Sequence, residues 1–505
     1  MCRVVNCGKM HAMRVGVATL MLGMAAACTV GPDYVKPEVT VPAGYKEAAA
    51  DGIAWKVAEP GDRTGRGKWW SVYEDPLLNA LQDVVTTSNQ DLRIAQSRYT
   101  QARALAAAAN SNYLPTVTAG ASVIRFRNSA SSFGATSTNI GPATGYRLPL
   151  EVSWELDLWG RVRRTVESSE ASAQAVAADL ETVRLSLQAE LALDYFLLRS
   201  LDTERQLLER TLIAYRKAYD LTVSRHVGGA ASDADVAQAE TQLKTAEAQA
   251  VNLRVQRAQL EHAIAVLIGK APAEFSMPQA GLESLPPSVP LVMPSELLER
   301  RPDISSAERQ MASANAQIGV AKAAFYPTIS IGASAGFEGA KGSDWFNWPS
   351  RFWSVGPSAA LILFDGNRRR SVSEQAQAAY EGTVATYRQT VLNAFQDVED
   401  NLAELAILAE EAGIQDAAVK ASRRSVAQTS NRYEAGAASY LEVVVAQTFA
   451  LTNERAAVDI SRRRMLASVR LIKALGGNWS VADLPSGDGK VAMKKDNQPV
   501  QTQTK

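Results

Sequence analysis

Ala324-Phe325-Tyr326-Pro327-Thr328-Ile329-Ser330-Ile331-Gly332-Ala333-Ser334-Ala335-Gly336-Phe337 is the stretch on which the fold turns. It reads as a helix-to-strand lead-in followed by alternation. Ile329, Ile331, Ala333, Ala335 and Phe337 face one way; Thr328, Ser330, Gly332, Ser334 and Gly336 face the other. A period of two marks a strand with one apolar face. The same lead-in occurs earlier as Asn112-Tyr113-Leu114-Pro115-Thr116-Val117, and alternation again follows. A second pair of segments repeats in the same order: Arg225-His226-Val227-Gly228-Gly229-Ala230-Ala231-Ser232 and Arg432-Tyr433-Glu434-Ala435-Gly436-Ala437-Ala438-Ser439. The chain is therefore a duplicated unit. Its period far exceeds the ~20–50 residues of solenoid repeats. Two copies of one supersecondary unit around an axis suit a tube.

Four strands are expected, at about 116–126, 146–158, 328–338 and 352–364. Each has the ~10 residues of a tilted transmembrane β-strand. Alternation alone also fits a soluble sheet wet on one face. Four strands cannot close a membrane barrel, whose smallest forms have about eight. Three chains would supply twelve. The loops Asn128 to Gly145 and Glu338 to Ser350 are polar and glycine-rich, like outward-facing barrel loops, and Trp345, Trp348 and Trp353 suit an interfacial girdle. Glu151, Glu155 and Asp157 fall on the face expected to meet the lumen, as selectivity elements or as plain solvated charges.

The strands are separated by helical patterns. From about Arg164 to Arg225, apolar residues recur at three and four: Leu180, Val183, Leu187, Leu191, Leu198, Leu201, Leu208. Val384, Tyr387, Val391, Phe395, Val398 and Leu402 repeat the pattern, which is that of coiled-coil packing. Return helices are expected at Asp233 to Leu267 and Tyr440 to Leu475, and shorter helices at Asn89 to Asn112 and Asp303 to Ala324. A return helix and a short helix stacked end to end would match one long helix. Lys270 to Pro294, rich in Pro, Gly and Ser, reads as a crossover.

The 505 residues carry 53 basic and 53 acidic side chains, so no net charge draws the chain to nucleic acid. All three cysteines, Cys2, Cys7 and Cys28, precede the body, which excludes a disulfide framework or thiolate metal site there. An apolar run from Val15 to Ala27 is shorter than the ~20 residues of a spanning helix and reads as a signal peptide. It ends Ala25-Ala26-Ala27-Cys28, similar to a lipobox, which makes Cys28 the candidate lipidation site; the alternative is ordinary cleavage with Cys28 a bystander. The domain order is then signal peptide (1–27), lipid-anchored segment (28–70), first copy (71–275), crossover (276–294), second copy (295–479) and a disordered tail (480–505).

The tight turns carry the candidate site. Gly229 and Gly436 stand where a helix end needs a left-handed residue. Ser232 with Asp235, and Ser439 with Glu442, match the capping-box pattern S-x-x-[DE]. Two readings stand side by side: the carboxylates cap helices, or the tips gather on an axis and the carboxylates ring an aperture.

Cys28-Thr29-Val30-Gly31-Pro32-Asp33-Tyr34 with Pro37, Trp69-Trp70 with Asp75-Pro76, both strand lead-ins, Trp154-Glu155-Leu156-Asp157-Leu158-Trp159-Gly160-Arg161, and Phe364-Asp365-Gly366 together resemble the TolC-like outer membrane factors, nearest their lipoprotein efflux (NodT/OprM-like) branch. The resemblance spans nearly the whole mature chain. It implies a mainly α protein with transmembrane β: a homotrimer with a shared twelve-stranded barrel in the outer membrane, continued by a long α-helical barrel in the periplasm. The implied role is the exit duct of a tripartite efflux pump, not an enzyme. Its implied partners are a periplasmic adaptor (membrane fusion protein), an inner-membrane RND-type transporter and outer-membrane lipid. It implies no cofactor beyond covalent diacylglycerol and an N-acyl chain (palmitate) on Cys28. Adaptor docking would fall on Gly228, Gly229, Ser232, Gly436 and Ser439. The periplasmic gate would use Leu441, Glu442 and Asp235. Val445 stands where many relatives carry a second aspartate, so the constriction is expected to be more apolar. A type I protein-secretion duct would share the fold; a pore-less coiled-coil lipoprotein is the rival of another class.

Overall fold

The computed structural model describes residues 29–47, 68–127, 141–282, 286–287 and 294–477. The leader, Cys28, the tail beyond 477, and parts of the first outward loop and the crossover lie outside these residues.

The order of elements is α1 (Pro76–Ser88), α2 (Gln90–Asn110), β1 (Thr116–Ala119), β2 (Ser122–Phe126), β3 (Ala143–Leu156), α3 (Arg161–Val227), α4 (Asp233–Leu267), α5 (Pro294–Arg300), α6 (Pro302–Ala323), β4 (Thr328–Gly339), β5 (Arg351–Ala360), α7 (Arg368–Glu434) and α8 (Tyr440–Ala474). The duplication is literal: α3 and α7 each have 67 residues, and α4 and α8 each have 35. The chain separates into two compact units, and each draws on both copies. One holds Met1–Pro37, Thr100–Ala175 and Glu308–Thr386; the other holds Glu38–Tyr99, Val176–Ala307 and Tyr387–Lys505.

In the first unit the strands form one antiparallel sheet, ordered β1-β3-β4-β5, with β2 also on β3. The expected first strand is interrupted, yet β1 and β2 keep one register on β3: Ala119 faces Leu150 and Ser122 faces Arg147. The gap falls opposite Pro149. Its carbonyl accepts from the Gly120 N–H (3.0 Å), but proline has no N–H to return. Register carries the alternation across the sheet. Val117, Val152, Ala333 and Val355 form one apolar row, and Thr118, Glu151, Ser334 and Ser354 the polar row beside it. Val117, Val123, Leu150, Trp353 and Val355 are exposed within the chain.

Three expectations for the strand ends need correction. β3 ends at Leu156, so Asp157 lies beyond the strand: its carboxylate accepts the backbone N–H groups of Val162 (2.9 Å) and Arg163 (2.7 Å), capping α3. Glu155 is held by Arg161 at 2.8 and 2.5 Å. β5 ends at Ala360, because Thr328, the first residue of β4, is its last partner. Of the girdle residues, Trp348 and Trp353 are exposed, whereas Trp345 packs edge-on against Tyr146 (5.5 Å).

An N-terminal strap lies on this unit. The Val30 N–H donates to Trp159 O (3.1 Å), Arg163 donates to Thr29 Oγ1 (2.7 Å), Asn315 to Pro32 O (3.0 Å) and Arg164 to Asp33 (2.7 Å). Tyr34 Oη donates to Glu308 (2.7 Å).

In the second unit, the predicted end-to-end stacking is visible in both copies. Asn89, which caps α2 through the Leu92 N–H (2.9 Å), donates its amide to Leu267 O (2.8 Å) at the end of α4. Arg301 donates to Ala474 O (3.2 Å) at the end of α8. Helix α7 buries a seam of Tyr387, Val391, Ala394, Val398, Leu402 and Leu408; each Val or Leu contributes about 1.5–3 kcal/mol. By contrast Ile407 and Ile414 on α7, and Ile213 on α3, stay about two-thirds exposed or more. The described start of the crossover is clasped, not loose. Arg257 donates to Asp202 (2.9 Å), Glu261 (2.6 Å) and Met277 O (2.8 Å), and Asp202 accepts the Ala280 N–H (3.2 Å).

Asp194 sits half-buried on α3, one turn from Glu190. Burial, then the Glu190 charge, push its carboxyl up to about 6 from 3.8. A raised acid favours the folded state below its unfolded pKa and loses that advantage as pH rises through the folded value. Asp194→Asn is therefore expected to raise the denaturation midpoint at pH 7.5 and to leave it unchanged below about pH 4. A shift of equal size at both pH values would refute this origin.

Candidate functional site

The tips are built by local chemistry, twice. At the end of α3, Gly228 N–H donates to Ser224 O (3.1 Å), Gly229 N–H to His226 O (2.9 Å) and Ala230 N–H to Arg225 O (2.7 Å). At the end of α7, Ala435, Gly436 and Ala437 make the same three bonds to Asn431, Tyr433 and Arg432, at 3.0, 2.9 and 2.8 Å. Gly229 and Gly436 have φ of 74° and 77°, and a Cβ there would meet nothing within 4 Å. Glycine is needed for the left-handed backbone, not for space.

Both carboxylates act as caps. Ser232 Oγ accepts the Asp235 N–H (3.2 Å), and Asp235 accepts the Ser232 N–H (3.0 Å) and hydroxyl (2.7 Å). Glu442 accepts the Ser439 N–H (3.1 Å) and hydroxyl (3.2 Å) and lies 3.6 Å from Arg432. The Ser439 N–H chiefly, helped by Arg432, holds the Glu442 carboxyl below its ordinary 4.5. Its contribution is present above that value and is lost only as pH falls through the lowered one. The tip therefore carries this negative charge at neutral pH.

Leu441, Val445 and Phe449 are exposed at i, i+4 and i+8 on α8, while Val443, Ala446 and Gln447 are buried. Beside Glu442, Leu441, Val445 and Phe449 form an exposed apolar stripe. Gly228, Gly229, Ser232, Gly436 and Ser439 are all exposed.

One group of residues was not singled out from sequence. Tyr433, in the last turn of α7, and Tyr440, the first residue of α8, lie 5.5 Å apart and are buried with Ala239 and Val443. Tyr433 Oη bonds Thr222 Oγ1 (3.1 Å) on α3, and the Arg225 guanidinium covers the Tyr433 ring at 4.4 Å. Arg225 also donates to Glu434 O (3.0 Å). These contacts latch the last turn of α3 to the last turn of α7. Two tyrosines bracketing a tight turn were the available signal. Above the latch, Gln242 donates to Gln447 (3.3 Å) and Arg455 meets Glu204 (2.5 Å). A groove of about 1140 Å³ between α3, α4 and α8 is lined by a mixture of apolar side chains such as Leu201, Val444 and Leu451 with amides, hydroxyls and ion pairs.

Among the described residues no helix is long and apolar enough to cross a membrane, and no group of three or more His, Cys, Asp or Glu could hold a metal. The family model for outer membrane efflux proteins matches residues 82–270 and 293–477. The chain belongs to that family. It is an outer-membrane efflux channel protein. It is 32% identical over 470 residues to the toluene efflux pump outer membrane protein TtgI of Pseudomonas putida, covering 92% of this chain and 98% of that one. It is 31% identical over 473 residues to the outer membrane protein OprJ of Pseudomonas aeruginosa, covering 92% and 96%. The solved outer-membrane channel OprN superposes with a TM-score of 0.82 at 31% identity, over 89% of this chain and 99% of that one. Open sheet edges and exposed apolar strand faces thus belong to a membrane channel, and the long helices to its periplasmic extension.

Proposed function

We propose that three copies close their strands into one twelve-stranded barrel and form the passive exit duct of a tripartite efflux pump. The observation that carries this reading is the sheet. Its edges, β1/β2 on one side and β5 on the other, are unpaired among the described residues, and its apolar rows are exposed. In a membrane every such edge must be satisfied by a neighbour. The exposed isoleucines of the long helices support the same neighbours. A periplasmic adaptor (membrane fusion protein) docks on the exposed tips at Gly228, Gly229, Ser232, Gly436 and Ser439, and an RND-type inner-membrane transporter supplies the energy and selects the small molecules. Cys28 carries the lipid anchor, which the strap from Thr29 to Tyr34 leads to.

The gate lies at the last tip. Leu441 and Glu442 line it, Asp235 adds charge from the first tip, and the Tyr433–Thr222–Arg225 latch keeps it shut. Conductance of the purified oligomer in planar bilayers tests this, alongside its mass in detergent. Tyr433→Ala is expected to raise resting conductance several-fold. Tyr433→Phe, which removes one hydrogen bond worth about 0.5–1.5 kcal/mol, should raise it less. A monomeric mass would end the shared-barrel reading. Unchanged conductance in Tyr433→Ala would remove the latch, and unchanged conductance and efflux in Glu442→Ala would leave that residue only its cap.

A further inference from the structure

The two strand-to-helix junctions use arginine differently. After β3 each arginine is engaged: Arg161 by Glu155, Arg163 by Thr29, Arg164 by Asp33 and by Glu167 at 2.8 Å. After β5 the chain reads Leu361-Ile362-Leu363-Phe364-Asp365-Gly366-Asn367-Arg368-Arg369-Arg370. Arg369 is held by Asp365 (2.6 Å). Among the described residues Arg370 meets only Glu374 (2.9 Å), with both side chains largely exposed. The Arg368 backbone N–H donates to Asp365 O (3.3 Å), but its guanidinium is exposed and has no hydrogen-bond or ion-pair partner among the described residues. Cations at a helix N-terminus oppose the dipole, so the helix itself gives no reason for them.

The residues just before them are apolar and bare. Leu363 is 87% exposed and Phe364 89%. Leu361 to Phe364 lie just beyond β5, on which Trp353 and Val355 are likewise exposed. The exposed apolar surface thus runs to two exposed guanidinium groups, Arg368 unpaired and Arg370 on the exposed Glu374 alone among the described residues, where the strand leads into α7. We propose that Leu363, Phe364, Arg368 and Arg370 form a binding site for an anionic phospholipid of the periplasm-facing leaflet, its phosphate held by the guanidinium pair and its acyl chains lying on the leucine and phenylalanine. Guanidinium suits this better than ammonium because its fork matches phosphate oxygens in pairs. The apolar stems can lie along lipid while the heads reach the charged layer.

The site rests on the membrane-spanning reading of the sheet, so the test separates the two. The full mature oligomer is placed in nanodiscs containing phosphatidylglycerol and phosphatidylcholine, released in the mass spectrometer, and its retained lipids counted. The wild type is expected to retain phosphatidylglycerol selectively. The R368Q/R370Q variant should retain about fivefold less or lower, and R368K/R370K an intermediate amount. Equal retention by R368Q/R370Q would overturn the site. So would loss of the oligomer in that variant, since the arginines would then face a neighbouring copy. Failure of the wild type to enter nanodiscs would overturn the membrane-spanning reading itself, and the site with it.

Discussion

Arg257→Met will destabilise the helical unit by about 3–5 kcal/mol, the usual cost of stranding a buried charge. Asp202 is fully buried, and one oxygen faces Arg257 at 2.9 Å while the other accepts the Ala280 N–H. Methionine can fill the space of the guanidinium stem but cannot neutralise the carboxylate. The Met277 carbonyl loses its donor too, so the clasp on the crossover loosens at the same time. Trp69 and Trp70, buried in the same unit, should report the change in a denaturant titration by fluorescence. Replacing both partners, as Asp202→Leu with Arg257→Met, should recover part of the loss, because the fully buried carboxylate goes with its partner while Glu261 still loses Arg257 and the Ala280 N–H its acceptor. If the single variant unfolded within about 1 kcal/mol of the wild type, the pair would be a surface-like contact and not a clasp.

Gly31→Val should unseat the N-terminal strap. Gly31 has φ of 110°, and a Cβ there would lie 2.6 Å from Gly319 Cα and 3.3 Å from Gly319 N. Backbone cannot yield as a side-chain tip can. The left-handed conformation alone costs a branched residue about 1–3 kcal/mol. At 1.4 kcal/mol per tenfold, opening of the strap should rise by about 5–140-fold. Limited proteolysis between residues 29 and 37 reads this directly. The bonds from Asn315 to Pro32 and from Arg164 to Asp33 would be lost together, because one short segment makes both. Cleavage at the wild-type rate would mean that the strap is held elsewhere.

The features legible in the sequence are those that depend on near neighbours. The return helix was expected at Asp233 to Leu267 and is found there, because Ser232 and Asp235 close a capping box three residues apart. Gly229 and Gly436 could be assigned to left-handed turns because the requirement is one residue's own backbone. Strand faces could be assigned because alternation has a fixed period, and the register later aligned Val152 with Ala333 and Val355 as that period requires. The duplication made each assignment twice.

The remainder lies in contacts distant along the chain. Pro149 breaks the ladder at Gly120, which only pairing across the outward loop reveals. Asp157 looked like another lumen charge by parity, but the first turn of α3 offered its N–H groups and took the carboxylate. The Tyr433–Thr222 latch joins residues 211 apart, and the Tyr34–Glu308 bond residues 274 apart. Sequence by itself determined the elements, their faces and the chemistry of the tips, since short-range sterics and hydrogen bonding suffice for those. Only tertiary structure decided which charges are caps, which are clasps and which arginines remain free. A polar side chain takes the nearest buried partner that satisfies it, and the fold alone brings that partner near.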